Sequence, residues 1–254
     1  PPRSTPLYSS AASDVYKRQD MDYQANATSL LGAEENAASS KKTLFRAIEN
    51  DLTIPDVRLQ TNVEGIDIIA ATRELDLLRE KVVGQAHQFK LLDMVLECDE
   101  RNEYDLIIVD THPSLDCFFQ SAMASSHYYL IPLFAEADPS RGLAHMVTAV
   151  DKIRRYLNPM LMLLGCVITR FDKTNATHVK YEKVIREASK AGKFHIFETI
   201  IPASNTVAAA SAQSLPLNQY KKSAPASIAY SVLAGEISPH LKGRRTGRRR
   251  ARGI

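Results

Sequence analysis

Three aspartates stand where an open sheet would put them to use. Asp110 ends the apolar part of YDLIIVDTHPSL (104–115), in which Leu106, Ile107, Ile108 and Val109 run unbroken into the acid. Such a run, bounded by polar residues, predicts a strand buried on both faces, hence a parallel sheet covered by helices. Asp110 then falls at the C-terminal edge, where sheets of this kind bind ligands. An ionised carboxylate there suits a cation, such as magnesium carried in with a nucleotide phosphate. The alternative is an aspartate that only caps the next loop. Asp20 and Asp22, spaced i, i+2 in DMDYQAN (20–26), are followed by Gln24 and Asn26, a run too polar for a strand interior. They predict a loop just past a strand end, with the strand itself missing upstream. A polar surface turn is the competing reading, and a second strand-end aspartate downstream weighs against it.

The elements that must position these acids alternate along the chain. KKTLFRAIEN (41–50) predicts a short helix, and GIDIIAA (65–71) a strand. Between residues 73 and 102, Leu75, Leu78, Val82, Phe89, Leu92, Val95 and Leu96 have the three-and-four spacing of an amphipathic helix, with Gly84 as a break point. After the strand at 104 come a helix (116–125), a strand (128–134), a helix (143–156), a strand (162–169), a helix (178–190) stopped by Gly192, a strand (194–201) and a closing helix (225–237). Alternating strand and helix predicts an α/β fold with a doubly wound, mostly parallel sheet, in one domain.

Composition sets limits on this reading. The 254 residues are 44% hydrophobic and 24% charged, as in ordinary globular proteins. Cys98, Cys117 and Cys166 form no C-x-x-C pair, which points away from a disulfide framework or zinc site and toward a reducing, cytoplasmic setting. No apolar run approaches the ~20 residues needed to span a bilayer, and the first twenty residues lack the apolar centre of a signal peptide. The net charge of +3 hides a split. Setting aside the seven cations from Lys242 to Arg252 and the net two of residues 1–19 leaves residues 20–241 at −6. Residues 1–19 (PPRSTPLYSSAASDVYKRQ) resemble a translated sequencing-adaptor or assembly scar and are set apart from the fold, which is expected to begin at about Asp20.

Five segments together resemble the ParA-type partition ATPases of the MinD/ParA superfamily. DMDYQAN is similar to their D-x-D-P-Q-x-N, and YDLIIVDTHPSL to their Walker B segment Y-D-x-I-I-I-D-T-P-P-S-L. GIDIIAATREL resembles the strand carrying an L-I-P-A-like run. LNPMLMLLGCVITRFDKTN resembles L-N-P-x-L-x-I-L-G-V-x-x-T-x-x-D-x-R-T-N, and ETIIPASNTVAAASAQSLPLNQY the segment T-x-I-P-R-N-V through P-V-x-x-Y. The resemblance implies a P-loop NTPase-like fold of the deviant Walker A class, using ATP and Mg2+. It implies a nucleotide-sandwiched homodimer that binds DNA non-specifically when holding ATP. Release would follow hydrolysis stimulated by a ParB-like centromere-binding protein, in plasmid or chromosome segregation on the nucleoid. By position, Asp22 matches the acid that orients the attacking water, Asp20 its neighbour in the same switch, and Asp110 the Walker B carboxylate that holds magnesium. Thr169, Arg170 and Asp172 match the loop near the base, and Pro202 the adenine-side segment. In-line attack on phosphorus needs little beyond a positioned water and a metal.

The departures carry as much weight. Tyr23 and His112 each replace a proline of the pattern. His112 reads either as a sensor of the γ-phosphate side or as a surface histidine. Ala203 stands where many relatives have an arginine that contributes to DNA binding; Lys221 and Lys222 nearby are either its substitutes or a solvated face. No G-x-x-x-x-G-K-[ST] occurs, and the one Gly-Lys pair, Gly192-Lys193, is followed by Phe194. In relatives that piece includes a central strand beside Walker B. The chain is therefore expected to be incomplete at its N-terminus, its sheet gapped or artificially closed, and to turn over no ATP alone.

Residues 241–254 are glycine-punctuated and basic (Arg244, Arg245, Arg248, Arg249, Arg250), and predict a disordered tail. Its role is a counterion-releasing DNA contact, a solubilising tail or a sequence-end artefact. A membrane-bound relative would end in an amphipathic helix, and an iron–sulfur relative would need paired cysteines; neither is present. A non-catalytic DNA-tethering or regulatory protein of the same fold is the remaining alternative.

Overall fold

The computed structural model describes residues 16–85, 87–98, 104–112, 114–135, 139–192 and 194–242. It begins with β1 (Tyr16–Asp20), followed by four short helices, α1 (Asn26–Leu30), α2 (Glu34–Ser40), α3 (Leu44–Glu49) and α4 (Ile54–Val57). Then come β2 (Leu59–Gln60), β3 (Ile66–Ile69), α5 (Leu75–Val82), α6 (Leu91–Leu96), β4 (Leu106–Asp110) and α7 (Cys117–Ser125). The second half runs β5 (Tyr128–Phe134), α8 (Pro139–Tyr156), β6 (Met162–Phe171), α9 (Ala176–Lys190) and β7 (Ile196–Pro202). It closes with α10 (Asn205–Ala212), α11 (Leu217–Tyr220) and α12 (Pro225–Lys242).

Side chains at the helix starts explain where several begin. Thr43, Asp116, Asn175 and Ser204 each accept hydrogen bonds from backbone N–H groups of the first turn, which those groups cannot find inside the helix. The long amphipathic pattern after residue 73 is split into α5 and α6, with Gly84 at φ +86° in the break, a conformation glycine adopts without strain.

The strands form two sheets. One has the order β2-β3-β1-β4, with β2 antiparallel to β3 and the other pairs parallel; the other is the parallel sheet β5-β6-β7. Neighbouring residues of β3 and of β6 enter different cores, because successive side chains of a strand point to opposite sides. Ile69 belongs to a core with Leu44, Leu75, Leu91 and Phe118, whereas Ile68 packs with Leu31, Ala37 and Leu59. In the second sheet Cys166 and Ile168 meet Val150, Ile153 and Ile185, and Val167 meets Ala226, Tyr230 and Leu233. Helix α7 joins the two halves: Phe118 lies in the first core and Phe119 in the second. The doubly wound α/β expectation is met, and no helix among the described residues is long and apolar enough to cross a membrane.

Two expectations are corrected. The strand before Asp20, thought to be missing, is β1, paired parallel to β3 and β4 with Asp20 opposite Asp110. Its sequence, YKRQD, carries no apolar signal; ladder hydrogen bonds are made by the backbone, so flanking strands can hold a segment whose composition predicts nothing. The set-apart segment 1–19 thus overlaps an element at residues 16–19, and residues 1–15 lie outside the described residues. Second, β4 is half-buried along its whole length rather than fully buried on both faces. Among the described residues it has a hydrogen-bonded neighbour on one side only, β1. Among the described residues β4 and β5 are not paired and belong to different sheets.

Candidate functional site

Asp20 closes β1 and is fully buried. Thr28 donates to Asp20 Oδ2 through both its N–H and its Oγ1–H, each at 2.8 Å, and the Asp22 N–H donates to Oδ1 at 3.1 Å. Thr28 Oγ1 in turn accepts the Ala71 N–H at 3.0 Å. Asp20 therefore ties the start of α1 to the end of the sheet and to the segment after β3. A buried carboxylate needs such donors to stay in place. Its oxygens are committed to the chain, which sets it apart from a carboxylate that faces a ligand.

Asp22 lies two residues past the strand end, in the loop that the sequence predicts, and is more enclosed than a polar turn, at 7% exposure. Its Oδ1 accepts the Gln24 N–H at 2.9 Å, and its carbonyl accepts the Ala25 N–H at 2.8 Å. Among the described residues Oδ2 carries no further hydrogen bond. Asp110, at the end of the neighbouring parallel strand, is half-buried, and its carbonyl accepts the Met21 N–H at 2.8 Å. Asp22 and Asp110 are thus at one rim of one sheet. Beyond them Tyr23 and His112, two of the departures from the pattern, stack with ring centroids 4.5 Å apart.

The residues expected near a base gather at the C-terminal edge of the other sheet. Thr169 is buried near the end of β6, and its Oγ1 donates to the Leu133 carbonyl at 3.5 Å. Arg170 adopts φ +55° and sets its guanidinium over the Phe134 ring, 5.3 Å from the centroid. Asp172 Oδ1 accepts from Thr174 Oγ1 and N–H, at 2.7 and 2.8 Å, and these bonds, the hydroxyl first, hold its carboxyl below the usual range. Pro202 ends β7 opposite Phe171, and the Ala203 N–H donates to the Phe171 carbonyl at 2.8 Å. These four residues are brought together on adjacent strand ends.

Lys221 and Lys222 are exposed between α11 and α12. Arg244, Arg245, Arg248, Arg249 and Arg250 lie outside the described residues. Sequence reading missed His178, which is buried and accepts the Asp172 N–H on Nδ1 at 3.0 Å; a lone histidine in a helix gives no signal for this. It also missed Thr28, whose contacts with Asp20 and Ala71 require the fold. A magnesium ion keeps several waters and takes one or two carboxylates plus phosphate oxygens, so the half-buried Asp110 and the uncommitted oxygen of Asp22 suit such an ion only when phosphate accompanies it.

Comparison with known proteins agrees with this geometry. The AAA domain family matches residues 17–163, more than half of the chain. The sporulation initiation inhibitor protein Soj of Bacillus subtilis is 29% identical over 219 residues, covering 86% of this chain and 84% of that protein. The chromosome partitioning protein ParA of Myxococcus xanthus is 29% identical over 220 residues, covering 86% and 75%. Among solved structures, cobyrinic acid a,c-diamide synthase from Mycobacterium smegmatis, with bound ATP analog and magnesium, superposes at a TM-score of 0.76 with 21% identity, covering 92% of this chain and 85% of that one. With two wound sheets, acids at one strand rim and relatives aligned along most of its length, the chain belongs to the AAA domain family and, within it, to the ParA/MinD-type partition ATPases of the P-loop class.

Proposed function

We propose that this chain is the body of an ATP-hydrolysing partition protein, with Asp22 orienting the attacking water and Asp110 holding Mg2+ through water. The observation that carries this is the placing of Asp110 at the end, and Asp22 two residues past the end, of adjacent parallel strands, locked by the Asp20–Asp110 register and the Met21–Asp110 hydrogen bond. Asp22 keeps one oxygen for a ligand while Asp20 spends its own on the chain. Magnesium, when bound with ATP, absorbs the charge that develops on the transferred phosphoryl group. The base would rest against Thr169, Arg170, Asp172 and Pro202. The edge of β4 that has no hydrogen-bonded neighbour among the described residues is where a strand with a phosphate-cradling loop would join.

In this reading the protein works as a homodimer with ATP between its subunits, binds DNA without sequence preference on the nucleoid in the cytoplasm, and is stimulated by a ParB-like protein bound at a centromere. Lys221, Lys222 and the basic tail supply phosphate contacts. Removing residues 242–254 should lower DNA affinity and flatten its salt dependence; an unchanged slope takes the tail out of the interface.

The decisive experiment compares ATP turnover by the 254-residue chain with turnover by the same chain extended by a strand and a K-G-G-x-G-K-T loop. The first should show none above background. The second should hydrolyse ATP and lose that activity in Asp22→Asn and Asp110→Asn. Hydrolysis by the unextended chain, or an extended chain that folds and binds ATP without turning it over, contradicts the reading; the latter is the behaviour of a non-catalytic tether.

A further inference from the structure

Tyr23 directly follows Asp22, and His112 comes two residues after Asp110, so the two rings stand on different loops of one rim. They stack face to face, 4.5 Å between centroids and 26° between planes. Each ring is fixed on its own side. His112 Nδ1 accepts the Ser114 N–H at 3.2 Å, and Ser114 Oγ donates to Asp116 Oδ2 at 2.6 Å. The other oxygen of Asp116 accepts the Phe118 and Phe119 N–H groups, both at 3.1 Å, at the start of α7. The imidazole is therefore anchored to the helix that touches both cores. Tyr23 packs against the core of the first sheet, and the next residue, Gln24, holds Asp22 Oδ1 through its N–H.

We propose that the Tyr23–His112 stack is a clasp between the two rim loops, which sets the position of Asp22 relative to Asp110. Both are positioning residues; neither touches the reacting atoms. A proline stiffens only the loop that contains it, by fixing its own φ. A stacked pair couples two loops, so that a disturbance in one reaches the other. What the clasp positions rests on the functional reading above; the coupling itself stands on the geometry.

The test is amide hydrogen exchange on the 254-residue chain, read at Gln24 on one loop and Ser114 on the other. Tyr23→Ala should speed exchange at Ser114, and His112→Ala should speed it at Gln24, each by about threefold to tenfold, the range expected for one aromatic pair. The double variant should do little more than either single one, and Tyr23→Phe, which keeps the stacking face, should leave both amides protected. A ring that only fills its own loop would move only its own side. Effects confined to the substituted loop, or a double variant whose effect is the product of the singles, overturn the clasp. If Tyr23→Ala does not fold, Tyr23→Leu keeps apolar volume against the core while removing the stacking face, and carries the same comparison. In the chain extended with a phosphate-binding loop, cross-loop exchange with unaltered turnover would leave the clasp standing and remove the role assigned to the two carboxylates.

Discussion

Strands β4 and β6 have nearly the same sequence texture and opposite surroundings. LIIVD in β4 and GCVIT within β6 are both short runs of branched apolar residues closing on a polar one. Yet Gly165 to Thr169 are all buried, whereas every residue of β4 is only half-buried. The difference lies in the neighbours: β6 is hydrogen-bonded to β5 and β7, while β4 has β1 alone among the described residues. An apolar run states that a strand can be buried; occupied edges decide whether it is. The same difference separates the chemistry, since the half-buried strand ends in Asp110 and the enclosed one in Arg170 and Phe171, with Asp172 just beyond.

The sharpest way to break this comparison is a matched pair of truncations. Ile168→Ala, in β6, should cost about 2–5 kcal/mol in denaturant unfolding, as for other buried aliphatic side chains. Ile108→Ala, in β4, should cost about 1 kcal/mol, because less of its surface leaves water on folding. Equal losses would mean that β4 is enclosed after all. A rise in the Ile108 loss once the chain is extended with a strand would place that strand against β4.

Asp20 and Asp22 sharpen the contrast between a carboxylate built into the sheet and one set at its rim. Asp20→Ala strands the donors of Thr28 and Asp22 and should cost about 2–4 kcal/mol; Asp22→Ala should cost about 1 kcal/mol or less, measured the same way. Comparable losses would erase the distinction.

Gly165 tests how tightly the second sheet closes. At φ +153°, a Cβ there would lie 2.8 Å from His195 Cδ2 and 2.9 Å from Phe197 Cε2. Gly165→Ala should cost about 1–3 kcal/mol, and a neutral result would show the β6–β7 side able to give way.

The smallest effect belongs to the far end of the first sheet. Burial first, then its hydrogen bond to Asp67 Oδ2 at 2.6 Å, push the Tyr104 phenol from 10.0 to about 12. The folded state favours the neutral phenol, so this contribution is complete below pH 10 and is lost as pH rises toward 12. Tyr104→Phe should flatten that alkaline slope and cost about 1 kcal/mol at neutral pH. An unchanged slope in pH-dependent unfolding would detach Tyr104 from it.

Much of the fold was legible in sequence because long apolar patterns and strong punctuators mark it. Strand β5 has the expected limits, the break at Gly84 falls as expected, and Asp116 opens α7. The short pieces α1, α2, α4, α10 and α11 were not legible, since four to eight residues carry too little periodicity to register. Strand β1 was missed for a different reason: its residues are polar, and only the backbones on either side make it a strand. The placing of Asp22 and Asp110 at strand ends was legible from local spacing. The commitment of Asp20 to Thr28 and the stacking of Tyr23 on His112 were not, because they join residues from separate segments.

The sequence by itself determined the alternation of strands and helices, the strand-end acids and the family. These are local matters, set by side-chain period and by residue types a few positions apart. Only the tertiary structure decided which acid faces the rim, which apolar strand lies open and which two loops are coupled. Burial and contact depend on what the rest of the chain brings alongside, and no window of neighbouring residues contains that information.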